Sequence, residues 1–178
     1  MDMIEYLRKR RSVRAFDNRP IEPDKIALLK EAVLRSPSSR NFDPWEFIFV
    51  DDKQLLEQLS RSKPHGAEFL KDAAVGIVVC ADPAVSDVWI EDCAIASILA
   101  QLTAQSLGLG SCWIQIRQRF YNSRMSSETY IRNVLGIPEA LCVLCIIAVG
   151  YPAEYPQPIP RRQLKDAKIH VNRMQSAR

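Results

Sequence analysis

Histidine is scarce in this chain: His65 and His170 are the only two among 178 residues. With so few imidazoles the chain lacks the usual ligand set of a zinc or iron centre, and no metal site is expected. Long apolar runs are missing as well. The two longest, 73–81 and 141–149, span nine residues each, about half of what a membrane-spanning helix requires. Nor is there a large charge of either sign. Lys and Arg number 24 against 21 Asp and Glu, a net of +3, too small by itself to mark a nucleic-acid-binding module. The five cysteines form an odd set, and MDMIEYLRKRR has no apolar leader core. Both features argue against a disulfide framework and for reduced thiols in a cytoplasmic protein. Repeats and low-complexity tracts are absent.

What is present is an ordinary globular composition, 47% hydrophobic and 25% charged. Residues 1–178 read as a single domain, long enough for a substantial core. The chain is organised around 88–116, VWIEDCAIASILAQLTAQSLGLGSCWI. From Ile90 to Leu107 only Glu91 and Asp92 carry charge, and small or aliphatic residues fall on nearly every side of a 3.6-residue helix. Such a helix is expected to be buried on most of its surface, with its Ala and Ser residues permitting close approach to a sheet or to a second copy of itself. Gly108 and Gly110 then turn the chain into a short apolar strand ending at Ile116.

Further helices are predicted at Met3 to Lys9 and from Pro23–Asp24 to Leu34, the latter with a stripe of Ile26, Leu29 and Val33. Two more run from Asp52 to about Arg61 and from Ser126 to Leu135, the second closed by Gly136. Strands are predicted at Trp45 to Val50, Val75 to Cys80 and Leu141 to Val149. The tail from Ala153 holds three prolines in eight residues, then a basic, helix-like or extended arm. Alternating strands and helices define an α/β or α+β class with a central sheet covered on both faces.

Two stretches stand out chemically. Residues 8–14 hold five cations in seven positions. They read as a nucleic-acid patch, as the solvated end of a helix, or as a phosphate site. In the last reading Arg10, Ser12 and Arg14 alternate onto one face of an extended segment, where two guanidinium forks suit a dianion. Pro37-Ser38-Ser39-Arg40-Asn41 offers amides, hydroxyls and a carboxamide suited to the edge of a planar heterocycle. Cys142 and Cys145 have redox spacing but lie in an apolar run with no second pair, so they read as buried strand thiols. Asp92 is assigned no catalytic role. Trp45, Trp89 and Trp113 read as core or interface anchors, while Phe120, Tyr121 and Tyr130 fall where a lid would lie.

Taken in order, RRSVRAF, SPSSRNFDPWEFIFV, the apolar helix ending LGLGSCWI, and VGYPAEYPQPIPRR resemble the nitroreductase-like family of FMN-dependent NAD(P)H oxidoreductases, over nearly the whole chain. The resemblance implies an α+β, three-layer α/β/α fold with a central, mostly antiparallel sheet, forming a homodimer with each FMN in a cleft between subunits. By that resemblance Arg10, Arg11, Ser12 and Arg14 contact the flavin, and Pro37, Ser38, Ser39 and Asn41 approach it from the other subunit. Arg161 and Arg162 would hold the phosphate, and Gln115 and Ile116 would pass N5, the backbone N–H of Ile116 supplying the contact. The implied activity is ping-pong transfer from NADH or NADPH to an electron-poor small molecule such as a nitroaromatic or quinone. No side chain is assigned a catalytic role, because the cofactor carries the chemistry. Two departures from the family pattern are visible. Gln115-Ile116 replaces a common Glu-Gly pair, and Gly66 stands where many relatives have Asn, leaving that contact to His65 or Lys63. Rival readings are an FMN protein of other chemistry, such as reductive dehalogenation or flavin storage, and a basic nucleic-acid module.

Overall fold

The computed structural model describes residues 2–174. A four-stranded sheet lies at its centre, in the order β1 (Trp45–Val50), β2 (Val75–Ala81), β6 (Cys142–Gly150), β3 (Gly110–Gln115). Every neighbouring pair is antiparallel, with Ile48 opposite Val78, Ile77 opposite Ile147 and Cys112 opposite Ala148. The runs VGIVVCA and CVLCIIAVG lack polar alternation because β2 and β6 are the inner strands. Their side chains on both faces are enclosed, which suits β-branched residues.

Helices close both faces. On one side α3 (Lys53–Ser60), α5 (Ser127–Leu135) and a 3-10 turn at Glu68–Asp72 bring Leu56, Leu59, Leu70 and Ile131 onto Val78, Ile114 and Ile146. On the other, α2 (Pro23–Leu34) and α4 (Trp89–Ser106) bring Leu29, Val33, Cys93, Ala100 and Ala104 onto Ile77, Val79 and Ile147. The result is an α+β, three-layer fold. The short α1 (Met3–Lys9) lies across α4 with no buried residue of its own. Local signals set the helix ends. Pro23 opens α2, the Asp52 carboxylate accepts the N–H groups of Gln54 and Leu55 at 2.8 and 2.9 Å, and Ser126 Oγ accepts the Thr129 N–H at 3.0 Å. Gly136, at φ 67°, ends α5.

The segment after α1 is strapped to the open edge of β3. Ser12 bridges Ser111 in parallel, and the Val13 N–H donates to the Ser111 carbonyl at 3.0 Å. Phe16 bridges Pro152 on the far side. Two glycines make room for this strap. A Cβ on Gly110 would stand 2.9 Å from Val13 side-chain atoms, and one on Gly150 would stand 2.9 Å from the Phe16 ring.

The structure refines two sequence expectations and adds one element to them. Helix α4 is buried or half-buried on most of its surface, as expected, and leaves an apolar face in which Ile95 and Ile98 are 40% and 39% exposed. An all-round apolar sequence does not reveal which side a sheet covers. A small hairpin, β4 (Phe120–Asn122) with β5 (Met125–Ser126), was unpredicted, because its strands are too short to show alternation. The tail beyond Ala153 is extended with 3-10 turns at Arg161–Gln163 and Asp166–Lys168, and its last residues, 175–178, lie outside the described ones. Among the described residues no helix is long and apolar enough to cross a membrane.

Candidate functional site

Ser12 and Val13 pair with Ser111 of β3, and Ala15 and Asp17 pair instead with Ala153 and Tyr151 beyond β6; over Arg10–Arg14 the extended backbone makes side chains alternate. Val13 enters the core, and Arg11 shares its side. The Arg11 guanidinium donates to the Gln157 carbonyl and lines a groove of about 370 Å³ with Gly110, Pro152 and Glu154. Arg11 is thereby separated from its neighbours, which corrects its grouping with Arg10 and Ser12. The physical reason is the two-residue repeat of an extended chain. Arg10, Ser12 and Arg14 take the opposite face and gather around Cys112 on β3. Burial pushes the Cys112 thiol up, while Arg14, a hydrogen bond from Ser12, Lys63 and Arg10 oppose that rise.

The cluster is cationic and poorly compensated. Neither Arg10 nor Arg14 nor Lys63 forms an ion pair among the described residues. Arg14 lies 6.0 Å above the Phe69 ring, and its backbone N–H donates to Glu154 Oε1 at 2.6 Å. Burial, followed by the like charge of Arg119, lowers the pKa of half-buried Lys63, against a weaker opposing pull from Glu68. Cations held together with only Glu154 and Glu68 close by disfavour one another, and a further anion relieves that repulsion. Arg119 was missed in the sequence because only the turn before β4 brings it near Lys63.

The Pro37–Asn41 loop is built differently. Ser38 Oγ donates to Asp43 Oδ1 at 2.6 Å and accepts the Asp43 N–H at 2.9 Å, so the Ser38 hydroxyl is already engaged. The Ser39 N–H donates to Asp92 Oδ1 at 2.8 Å. Arg40, Asn41 and Asp43 have φ of 52°, 58° and 47°. Asn and Asp tolerate this left-handed region, but for Arg40 it costs on the order of 1 kcal/mol or more. Ser39 Oγ and the Asn41 carboxamide carry no bond to other described residues; Ser39 is half-buried and Asn41 exposed.

Two further expectations change. The Gln115 carboxamide is locked, accepting from Trp113 Nε1 at 2.9 Å and donating to the Arg117 carbonyl at 2.9 Å. Ile116 is fully buried and its N–H donates to the Leu144 carbonyl at 3.2 Å, because pairing with β6 continues one residue past β3. As placed, Ile116 has no spare N–H for a ligand. Arg161 makes a two-pronged pair with Asp166 at 2.9 and 3.0 Å, and Arg162 is exposed. No hydrogen bond or ion pair of the described residues joins either to Arg10, Ser12 or Arg14. Cys145 is buried against Ser97 at 3.4 Å while Cys142 sits at the rim of the sheet. Among the described residues no group of three or more His, Cys, Asp or Glu side chains is placed to hold a metal ion.

The structure thus sets a cationic shelf on the edge of the sheet of a three-layer α+β fold. The sequence narrows this to one family. A nitroreductase-family model matches residues 7–63 and 57–151, and the chain belongs to the nitroreductase family. A solved FMN-dependent nitroreductase from Clostridium difficile is 42% identical and superposes with a TM-score of 0.95, covering 96% of this chain and 99% of that one. A protein of Archaeoglobus fulgidus, described provisionally as an NADH dehydrogenase/NAD(P)H nitroreductase, is 35% identical over 157 residues, 86% of this chain and 87% of its own length. An NADPH-flavin oxidoreductase of Vibrio harveyi is 27% identical, matched over 97% of this chain and 74% of its own.

Proposed function

We infer that this chain is an FMN-dependent NAD(P)H oxidoreductase, working as a homodimer on an electron-poor small molecule such as a nitroaromatic or a quinone. The observation that carries the reading is the poorly compensated shelf of Arg10, Ser12, Arg14 and Lys63 around Cys112, in a chain of this family. The donor set fits FMN. Guanidinium forks suit its phosphate, and a hydroxyl with further cations suits its polar chain and the edge of its ring. Arg10, Ser12 and Arg14 would hold FMN there, and the bound cofactor would supply hydride-transfer chemistry between NADH or NADPH and the acceptor in a ping-pong scheme.

The protein's own contribution is binding and electrostatics. Arg10 and Arg14 would hold anionic groups, and Lys63 with Arg119 would favour negative charge at the ring edge. Arg161 and Arg162 are the arm cations available to the phosphate, Arg161 after release from Asp166. The Pro37–Asn41 tip would face the flavin of a second subunit through Ser39 Oγ and Asn41. The exposed face of α4, with Ile95 and Ile98, supports a dimer built on that helix. As placed, Ile116 does not supply the N5 contact. The Gln118 N–H, two residues on and at φ 58°, carries no bond to the described residues.

An absorption spectrum of the purified protein, taken with added FMN and then with NADH or NADPH under argon, tests the reading. Flavin bands that bleach support it. Bands that persist would leave flavin binding without the nicotinamide step, and protein that takes up no FMN would end the proposal.

A further inference from the structure

Asp92 has a place that its apolar helix does not explain. It lies in the first turn of α4, is 3% exposed, and forms no ion pair with a described residue. Burying a carboxylate is costly unless its oxygens are bonded. Both are bonded here: Oδ1 accepts the Ser39 N–H at 2.8 Å and Oδ2 accepts the hydroxyl of buried Ser86 at 3.0 Å. Ser86 Oγ in turn accepts the Val88 N–H at 3.3 Å, which anchors it to the turn entering α4. The chain of bonds thus runs from the start of the central helix to the tip of the Pro37–Asn41 loop.

That loop is fastened at its ends by the Ser36 N–H to the Val33 carbonyl at 3.2 Å, and by the Asp82 N–H to the Pro44 carbonyl at 3.2 Å. Within it, Ser38 and Asp43 bond each other, and Asn41 and Phe42 donate back to Ser38 and Ser39. Between those ends, the bond to Asp92 is the single hydrogen bond among the described residues that joins the loop to another element. Left-handed backbone at Arg40 persists only where surrounding structure enforces it, and Asp92 is the group in position to do so.

We propose that Asp92 is a positioning residue. Acting through the Ser39 N–H, it holds the 37–41 loop in the shape in which Ser39 Oγ and Asn41 meet the flavin of the partner subunit. This rests on the shared flavin site proposed above. Asp92 touches neither cofactor nor substrate in this scheme, and its contribution is to spare the loop an ordering cost at the moment of binding.

The test compares Asp92→Ala with Asp92→Asn in the full-length protein. Asn keeps an oxygen for the Ser39 N–H and a group able to pair with Ser86, so it is the conservative rescue. In flavin-free protein, amide exchange at Ser39 is expected to quicken about tenfold or more in Asp92→Ala, as for a lost charge-assisted bond. The dissociation constant for FMN is expected to rise about 10- to 100-fold in the same variant, and Asp92→Asn is expected to stay within about threefold of the native protein on both measures. Equal losses in both variants, or a lowered melting temperature with Ser39 exchange unchanged, would overturn the proposal. Arg10→Ala separates the two readings. If Arg10→Ala weakens FMN binding and Asp92→Ala does not, the flavin site stands and the positioning role falls. If neither weakens it, both fall.

Discussion

The exposed face of α4 allows the homodimer to be tested quantitatively. Fully burying an isoleucine side chain contributes about 1.5–3 kcal/mol. Ile95 and Ile98 each leave two-fifths of their surface uncovered, 40% and 39%. Covering the remainder is therefore worth about 0.6–1.2 kcal/mol per residue. A twofold pair brings four such side chains together, for a combined contribution of about 2.5–5 kcal/mol. The double substitution Ile95→Ser/Ile98→Ser removes this contribution at solvent-facing positions, where the cost to the isolated subunit is small. The dimer dissociation constant should rise by about two to three and a half decades. Sedimentation velocity over a broad concentration range measures it, with thermal unfolding of the variant confirming that the subunit is intact. A double variant that dissociates no more readily than the native protein would refute the assignment of this face. Native protein that sediments as a 20.2 kDa particle at every concentration would refute the dimer itself.

Four more expectations follow from particular contacts. Gly110→Ala places a methyl 2.9 Å from Val13; it should destabilise the fold by about 1–3 kcal/mol in urea unfolding, and a paired Val13→Ala should recover part of the loss. Arg10→Ala and Arg161→Ala should each weaken FMN binding by about 1–3 kcal/mol in a fluorescence titration; unchanged retention in both would mean that the phosphate lies elsewhere. Glu22 accepts from the Tyr151 hydroxyl and from Arg19 at 2.9 Å, which brings its pKa down from 4.5 to about 2. A depressed carboxyl pKa gives stability that is present above pH 4.5 and lost as pH falls toward 2, so Glu22→Gln should flatten the acid limb of an unfolding curve measured between those values. Burial raises Cys80 and Cys93 to about 12 and pushes Cys145 up as well. Iodoacetamide at pH 8 should therefore leave all three unmodified in native protein, and mass spectrometry that finds any of them alkylated before unfolding would contradict the packing.

Helices α2, α3 and α5 were legible because each carries its own start or stop: Pro23, the Asp52 carboxylate, the Ser126 hydroxyl and Gly136. Strands β2 and β6 were legible because runs as apolar as VGIVVCA have few other places to go in a chain of this size. The alternation of Arg10, Ser12 and Arg14 is likewise a local property of extended backbone, and so it could be read without coordinates. The same two-residue period argues against grouping Arg11 with them, yet the family pattern drew it in.

Other features had no local signal. The N–H of Ile116 is taken by Leu144, 28 positions away in the chain, and no motif near Ile116 reports it. The direction in which α4 presents Ile95 and Ile98 depends on which side the sheet occupies, and an evenly apolar helix carries no stripe to say so. Asp92 reads as an oddity in sequence and acquires meaning only when the fold brings Ser39 and Ser86 to its two oxygens. Sequence thus determined the longer elements, the family and the alternating cations Arg10 and Arg14, since periodicity, caps and motifs act over a few residues. Tertiary structure alone decided which polar groups are already spent on the protein itself and which remain for a ligand, because that accounting depends on partners brought together from distant parts of the chain.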